Sequence, residues 1–240
     1  MAAVKAESPS AKINRTARQQ LDGHWRKAAA AGLLLISLEL LAGMVSSRFT
    51  LNGSDSAYYM GFLVALILEL FLGVVADGAL LHFLKLARGT EPAPEDFLVP
   101  FRIQPDRYFI IGLIKLGGEL LIYAPVVAGL FMVSDNPRPW LIIMGIWSII
   151  GTALCILFRI SIALAPFFLL EKEDTGAIEA LKQSLKLMYG RKKRLLACVL
   201  PFIGYGILAL CSLGIALIWI IPYYLMVLAE FYRDTIGELQ

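Results

Sequence analysis

Long apolar stretches alternate with short polar stretches along the chain, and this alternation predicts membrane-spanning helices. A helix needs about 20 apolar residues to cross the hydrocarbon core of a bilayer. The last apolar block, 195–232, would be roughly 57 Å long as one helix, so we expect it to fold back at Ser212-Leu213-Gly214. The pattern therefore predicts an all-α, polytopic bundle of six transmembrane helices, at about 28–47, 57–86, 108–133, 140–170, 195–212 and 215–232.

Each pair of predicted spans is preceded by a short polar or amphipathic segment. The segment before the fifth span, "GAIEALKQSLKLMYGRKKRLL", predicts an amphipathic helix over 175–190, with Asp174 as its N-cap and Gly190 ending it. Its apolar side chains fall at helical spacing on one face: Ile178, Leu181, Leu185 and Met188. Such a helix is typical of the membrane surface. The three segments are compatible with a threefold hairpin repeat, or only with the shared physics of entering a bilayer.

Composition supports a membrane domain and gives no sign of a separate soluble one. Apolar residues make up 58% of the 240-residue chain and charged residues 17%, whereas soluble domains average about 45–50% and 25%. The mean hydropathy is +0.71. We expect a membrane domain over 28–233, an N-terminal tail over 1–27 that carries an amphipathic helix, and a C-terminal tail over 234–240.

The distribution of positive charge predicts the orientation. Of the 22 Lys and Arg residues, about 18 lie in the tails and in the loops on the same side as the tails, and only Arg48 and Arg138 lie in the opposite loops. Cytoplasmic loops of membrane proteins are enriched in Lys and Arg. Both termini are therefore expected to be cytoplasmic. The first apolar run is longer than a signal-peptide core and contains Glu39, so we expect an uncleaved span.

Six ionisable residues fall inside the predicted spans and form a candidate intramembrane polar core: Glu39, Glu69, Asp77, Lys115, Glu119 and Arg159. Such residues are costly in a bilayer and are expected to face the bundle interior or water. Glu119 can pair with Lys115 one turn away, and Arg159 is expected to pair with Asp77 or Glu69. Four carboxylates against two cations leave two in excess. The cluster is either a structural ion-pair network or a site for a cation, a proton or a polar solute.

The basic residues around 182–194 are candidates for contact with anionic lipid: Lys182, Lys186, Arg191, Lys192, Lys193 and Arg194. Cations near an anionic membrane surface contribute roughly 1 kcal/mol each. A nucleic-acid arm is the alternative for a run of this kind, but no recognisable nucleic-acid module accompanies it. We therefore expect the lipid bilayer as a partner, a membrane protein as another candidate partner, and no nucleic acid.

The sequence shows no pattern that indicates catalysis or metal binding. Cys155, Cys198 and Cys211 lie inside apolar runs, and His24 and His82 are isolated. No Ser/His pairing and no phosphate-cradling glycine loop is visible. We expect a protein that is not an enzyme, with no catalytic residues, no metal and no cofactor.

The stretch Ala180–Asp234 contains "ALKQSLKLMYGRKK", "FIG", "LGI", "IPYY" and "EFYRD", and an "LARGTEP" loop precedes it. With these motifs the chain resembles an uncharacterised family of bacterial integral-membrane proteins, domain of unknown function nine-seventy-five. It is more loosely similar to the membrane region of glycerophosphodiester phosphodiesterases, although their catalytic domain has no counterpart here. The resemblance implies a multi-span protein of the bacterial plasma membrane and supplies no catalytic residues.

Two functions are compatible with these observations. The first is a non-enzymatic membrane protein that engages anionic lipid or a membrane partner through its cytoplasmic interfacial helices. The alternative is a small transporter or channel that uses the intramembrane carboxylates. The sequence names neither a solute nor a partner, and it leaves the oligomeric state open.

Overall fold

Every regular element in the described part of the chain is helical. The computed structural model describes residues 8–50, 55–132, 137–172 and 174–239. Outside these ranges lie residues 1–7 of the predicted tail, residues 51–54 and 134–136 of the two predicted loops, and residue 133, the last of the predicted third span. The elements are α1 (Pro9–Leu21), α2 (Trp25–Thr50), α3 (Asp55–Ala87), a 3₁₀ turn (Pro94–Leu98), α4 (Val99–Arg102), α5 (Pro105–Met132), α6 (Pro137–Ile162), α7 (Ala165–Glu171), α8 (Ala177–Met188), α9 (Lys192–Val199), α10 (Pro201–Cys211) and α11 (Leu217–Ile236).

Within these residues, five helical segments are long and apolar enough to cross a membrane: Trp25–Phe49, Ser56–Ala87, Pro105–Gly129, Trp140–Glu171 and Lys192–Cys211. They correspond to the first five predicted spans. The predicted sixth span, 215–232, coincides with α11, which has 20 residues but carries Glu230, Arg233 and Asp234 towards its end. These charges lower its suitability as a span, so a count of six stays a prediction.

The N-terminal tail forms a helix that packs on the bundle. Ser8 caps α1 by accepting a hydrogen bond from the backbone N–H of Ala11 at 3.3 Å, and Pro9 follows at the first helical position. The apolar face of α1 is buried through Ile13, Ala17 and Leu21. Gly23, with a φ of 82°, turns the chain into α2, which begins at Trp25.

Burial is concentrated at one end of the bundle. We call this the basic end; it contains α1, the 88–104 connection, α8 and the C-terminus. The opposite end, where α2 and α5 end and α3 and α6 begin, is the loop end. Buried side chains run through α1, the second half of α3, α7 and α11, whereas the loop-end halves of α2, α3, α5 and α6 expose their apolar side chains. Exposed apolar surface of this extent is expected where lipid is the solvent.

The α9–α10 segment and α11 form a hairpin that rises only part of the way along α2. The chain turns at 212–216, where the sequence predicted a turn, with Leu213 at φ 52° and Gly214 at φ 89°. Near the start of α11, the backbone of Ile218 and the ring of Pro222 pack against Gly32. From Gly32, α2 continues for roughly 27 Å at 1.5 Å per residue. The hairpin therefore packs only along the basic-end half of the bundle.

Gly78 sets the distance between α3 and the 3₁₀ turn. A Cβ at this position would lie 2.7 Å from the carbonyl carbon of Phe97 and 2.8 Å from its Cα. Because these are backbone atoms, they cannot rotate away. We expect Gly78→Ala to lower the free energy of unfolding by about 2 kcal/mol, within the range of overpacking substitutions.

Equilibrium unfolding in mixed micelles tests this expectation. Gly43→Ala is the matched control, because nothing lies within 4 Å of a Cβ built at that helical glycine. It should be neutral or stabilising by up to about 1 kcal/mol, since Ala favours a helix more than Gly. Equal effects of the two substitutions would contradict the close approach at Gly78.

Candidate intramembrane site

All six charged residues of the predicted polar core line one cavity, which we call the polar cavity. Its volume is about 300 Å³, and it lies between α2, α3, α5, α6, α7 and α11. The six are Glu39 on α2, Glu69 and Asp77 on α3, Lys115 and Glu119 on α5, and Arg159 on α6. The lining is completed by small residues such as Gly73 and Gly112, and by Pro166, Tyr224 and Leu228. A function for this cluster remains a prediction at this point.

Two ion pairs cross the polar cavity between neighbouring helices. Lys115 Nζ lies 2.8 Å from Asp77 Oδ1. Arg159 donates to both oxygens of Glu119, from Nε at 2.7 Å and from Nη2 at 2.9 Å. The sequence-based pairing was wrong: Lys115 does not pair with Glu119 on its own helix, and Arg159 pairs with neither Asp77 nor Glu69.

Close helix packing explains this exchange of partners. Gly112 lets α5 approach α3, because a Cβ there would lie 2.7 Å from Leu70 Cδ1, and this brings Lys115 to Asp77. Gly118 accommodates the ring of Phe158 from α6, which a Cβ would approach to 2.5 Å. Glu119 therefore lies next to α6, within reach of the Arg159 guanidinium. Spacing along a single helix does not reveal these interhelical neighbours.

The polar cavity retains two carboxylates without a cation. Among the described residues, neither Glu39 nor Glu69 makes a hydrogen bond or an ion pair. They line the same cavity from the neighbouring helices α2 and α3. Both ion pairs are electrically neutral, so the cavity carries two formal negative charges when Glu39 and Glu69 are ionised. An arrangement of this kind can accept a proton, a small cation or the ammonium group of a solute.

A second group of charges lies at the ends of α3, α7 and α11 and was not predicted from the sequence. We call it the C-terminal charge network: Arg88, Glu171, Glu230, Tyr232, Arg233 and Glu238. Glu230 is fully buried and lies 3.1 Å from Arg233 Nη1, which also donates to the carbonyl oxygen of Ala87. Glu230 lies inside the predicted sixth span and was not recognised as a buried charge. The sequence signal for this ion pair was the spacing of three residues between Glu230 and Arg233 on one helix.

The 3₁₀ turn holds another buried carboxylate, which was not predicted from the sequence. Asp96 is 2% exposed, pairs with Lys85 at 2.5 Å, and accepts a hydrogen bond from the backbone N–H of Ala93 at 2.9 Å. His82 lies 3.9 Å away and packs on Phe97. These contacts fix the turn against α3 and are explained by packing alone.

The C-terminal charge network should make stability depend on pH. Hydrogen bonds from Arg88 and Arg233 hold the pKa of the Glu238 carboxyl below its ordinary value of about 4.5. A lowered carboxyl pKa stabilises the folded state above the ordinary pKa, and this contribution is lost as pH falls through the folded-state pKa. Because Glu238 is 31% exposed, we expect it to contribute about 1 kcal/mol or less.

Unfolding measured from pH 7 down to pH 3 tests this contribution. The wild type should lose stability relative to Glu238→Gln below about pH 4.5. Glu95→Gln, at an exposed position, serves as the control and should follow the wild type. Parallel pH profiles for the wild type and Glu238→Gln would show that the bonds to Arg88 and Arg233 do not stabilise the fold.

The predicted amphipathic helix over 175–190 is observed as α8 (Ala177–Met188), with two corrections. Gly176, not Asp174, occupies the N-cap position, and no side chain caps the helix. The predicted apolar face is divided. Leu181 and Met188 are buried with Ala180 and Ser184 against the bundle, whereas Ile178 is 63% exposed and Leu185 is 46% exposed. Gly190, at φ 78°, ends the helix as predicted.

Small residues produce this division, because Ala180 and Ser184 let α8 dock on the ends of α6 and α7. Ser184 Oγ donates to the carbonyl oxygen of Ser161 at 3.0 Å. Of the six candidate lipid contacts, Lys182, Lys186, Arg191 and Lys193 are exposed and Lys192 is half-buried. Arg194 is held by Asp234 at 2.7 Å, so it is less free to meet lipid than its neighbours.

Comparison with known proteins identifies a family and no closer relative. No curated protein and no solved structure matches the chain. The looser similarity to the membrane region of glycerophosphodiester phosphodiesterases therefore stays a prediction. The family described as "Protein of unknown function (DUF975)" matches residues 7–238, which is nearly the full length of the chain. The chain belongs to this family.

Proposed function

We propose that this protein is a small membrane carrier or channel that binds a cation or a proton in the polar cavity. The observation that carries the proposal is the pair Glu39 and Glu69, two carboxylates that share the cavity and have no described partner. A network of ion pairs that only fixes helix packing needs neither of these carboxylates, because the two ion pairs of the cavity are complete without them. Retained intramembrane charges of this kind mark ion pathways and proton relays.

The size of the polar cavity supports a small ligand. A volume of about 300 Å³ corresponds to roughly ten water molecules, at about 30 Å³ each. It can hold a partly hydrated monovalent cation or a small organic ammonium ion. A tightly held divalent ion would need several protein ligands. Within the described ranges, no group of three or more His, Cys, Asp or Glu side chains is arranged to bind a metal.

The order of charges along α3 supports a path towards the basic end. Asp77 lies about two helical turns beyond Glu69 in that direction, and it is held by Lys115 at 2.8 Å. A cation that leaves Glu39 and Glu69 would meet this pair next and would compete with Lys115 for Asp77.

Flux into liposomes tests the proposal. Purified protein is reconstituted and the uptake of protons, of K⁺ or Na⁺, and of methylammonium is followed with entrapped dyes. We expect one of these to enter faster than in protein-free liposomes, and Glu39→Gln/Glu69→Gln to lower the rate at least tenfold. Glu179→Gln, on the exposed face of α8, is the control and should retain the rate. Equal flux with and without protein for every ion would overturn the proposal.

A second candidate function is the engagement of anionic lipid by α8 and the basic residues that follow it. One observation favours it: α8 exposes Ile178 and Leu185 beside Lys182 and Lys186, which suits a helix lying in the headgroup layer. In this proposal the basic end is cytoplasmic, α9–α10 and α11 form the fifth and sixth membrane segments, and the protein resides in the bacterial plasma membrane.

Lipid dependence of α8 tests this second candidate. Replacement of Arg191, Lys192 and Lys193 by Gln should weaken protection of α8 from proteolysis in bilayers that contain phosphatidylglycerol, and should have no effect in phosphatidylcholine alone. Arg194 is retained in this variant because it pairs with Asp234. Unchanged protection in the anionic bilayers would count against lipid engagement by this segment.

A further inference from the structure

A second cavity lies on the surface of the bundle, between α1, the start of α2, α10 and α11. We call it the aromatic groove. Its volume is about 430 Å³, and it is lined by Arg18, Trp25, Tyr205, Leu208, Ala216, Trp219, Ile220 and Tyr223. The groove is separate from the polar cavity, with which it shares no lining residue. It combines one cation with a long apolar wall, and the proposed cation path makes no use of it.

The guanidinium of Arg18 is held in a fixed position at one side of the groove. Its Nε donates to Tyr223 Oη at 3.1 Å, and its Nη2 donates to Tyr205 Oη at 2.5 Å. The guanidinium carbon also lies 5.3 Å from the centroid of the Tyr223 ring, a distance at which a cation is attracted to an aromatic face. Tyr223 is itself fixed, since its hydroxyl donates to the carbonyl oxygen of Asn14 at 3.4 Å.

Arg18 retains its charge and most of its donors. Arg18 is exposed. In the described part of the chain, no carboxylate lies within ion-pair distance of its guanidinium. An arginine has five N–H donors, and the two tyrosines use two of them. The three remaining N–H groups, together with the Tyr205 hydroxyl, can meet an anion with several acceptor oxygens. A phosphate group fits this set of donors.

The rest of the aromatic groove does not suit a free, hydrated anion. Leu208, Ala216 and Ile220 form an apolar wall, and Trp219 is 50% exposed beside them. Trp25 lies at the start of α2, and Trp and Tyr are enriched where membrane proteins meet the headgroup layer. The wall would therefore contact acyl chains while Arg18 contacts a headgroup.

We propose that the aromatic groove is a binding site for an anionic glycerophospholipid of the leaflet at the basic end. The phosphate accepts hydrogen bonds from Arg18 and Tyr205, and one acyl chain lies along Leu208, Ala216 and Ile220. The proposed site is distinct from the exposed face of α8, because none of its residues belongs to the 175–194 segment. Occupancy would fasten α1 to the α10–α11 hairpin through the lipid.

Quenching of tryptophan fluorescence by brominated lipids tests this site in the full-length protein. In a Trp140→Phe/Trp147→Phe background, the remaining tryptophans are Trp25 and Trp219, which both line the groove. Bilayers that mix phosphatidylglycerol and phosphatidylcholine, with bromine on one lipid at a time, give the relative binding constant of the two lipids. We expect phosphatidylglycerol to be favoured about fivefold, which is roughly 1 kcal/mol.

Two variants and one competitor make the result decisive. Arg18→Gln should reduce the preference for phosphatidylglycerol to about onefold, and Tyr205→Phe should reduce it in part while leaving the cation in place. Arg26→Gln, an exposed arginine at the same end of the bundle, should leave it unchanged. Inorganic phosphate at 10-fold excess over the lipid should not restore fluorescence.

Three outcomes would overturn the proposal. The first is an unchanged preference in both Arg18→Gln and Tyr205→Phe. The second is an equal loss of preference in Arg26→Gln, which would indicate attraction by the general charge of the basic end. The third is displacement of the brominated lipid by inorganic phosphate, which would assign the groove to a soluble anion. If Arg18→Gln fails to fold, the comparison of Tyr205→Phe with Arg26→Gln decides the question.

Discussion

Replacing Lys115 by Met is expected to destabilise the protein by about 3–5 kcal/mol. The substitution removes the cation that lies 2.8 Å from Asp77 and leaves a carboxylate that is 3% exposed without a partner. An unpaired buried charge is strongly destabilising, and breaking a buried ion pair from one side typically has an effect of this size. Met retains most of the apolar stem of Lys, so the loss of packing is small.

The double variant Asp77→Asn/Lys115→Met separates charge from shape. It removes both charges, and the folded state should recover most of the stability because no buried ion remains. Equilibrium unfolding of the wild type, the two single variants and the double variant forms a double-mutant cycle. A Lys115→Met variant within about 1 kcal/mol of the wild type would show that Asp77 does not depend on Lys115.

Removing Glu39 and Glu69 should have the opposite effect. We expect Glu39→Leu/Glu69→Leu to stabilise the fold by about 2 kcal/mol or more, because both carboxylates lie within predicted spans, have no described partner and are costly within a bilayer. The same variant should abolish flux. A gain in stability with a loss of activity is the signature of residues that are retained for function.

Glu119→Leu is the matched control for this prediction. It removes a carboxylate from the same polar cavity, but one that Arg159 holds through two hydrogen bonds. Arg159 would be left without a carboxylate partner, so this variant should be less stable than the wild type. If all three glutamates behave alike in unfolding experiments, the division into paired and unpaired carboxylates is wrong.

The fold could be predicted from the sequence to the extent that hydrophobic length determines it. The five apolar segments, the turn at 212–216 and the end of α8 at Gly190 all follow from patterns that are local in the chain. The depth of the last hairpin could not be predicted in this way. It depends on the packing of Ile218 and Pro222 on Gly32, which are nearly 190 residues apart in sequence.

The candidate site shows the same division between local and non-local information. Rarity of charge within apolar spans singled out the six residues of the polar cavity, because each is costly in a bilayer. Their partners were assigned wrongly, since the pairing depends on the neighbours of α5 in space. Glu230 and Arg18 were missed for a related reason. Glu230 lies near a helix end among other charges, and Arg18 acquires its role only when α1 meets Tyr205 and Tyr223.

The central claim is that Glu39 and Glu69 bind a cation or a proton, and ligand-dependent stability tests it most directly. Unfolding of the purified protein is measured across pH 5–9 and across concentrations of Na⁺, K⁺ and methylammonium. At 100 times its dissociation constant, a ligand that binds only the folded state stabilises it by about 2.7 kcal/mol. We predict that protons or one of these cations stabilise the wild type and Glu179→Gln in this way. Glu39→Gln/Glu69→Gln should show no such stabilisation. Identical responses of the wild type and Glu39→Gln/Glu69→Gln to pH and to every cation would contradict the claim.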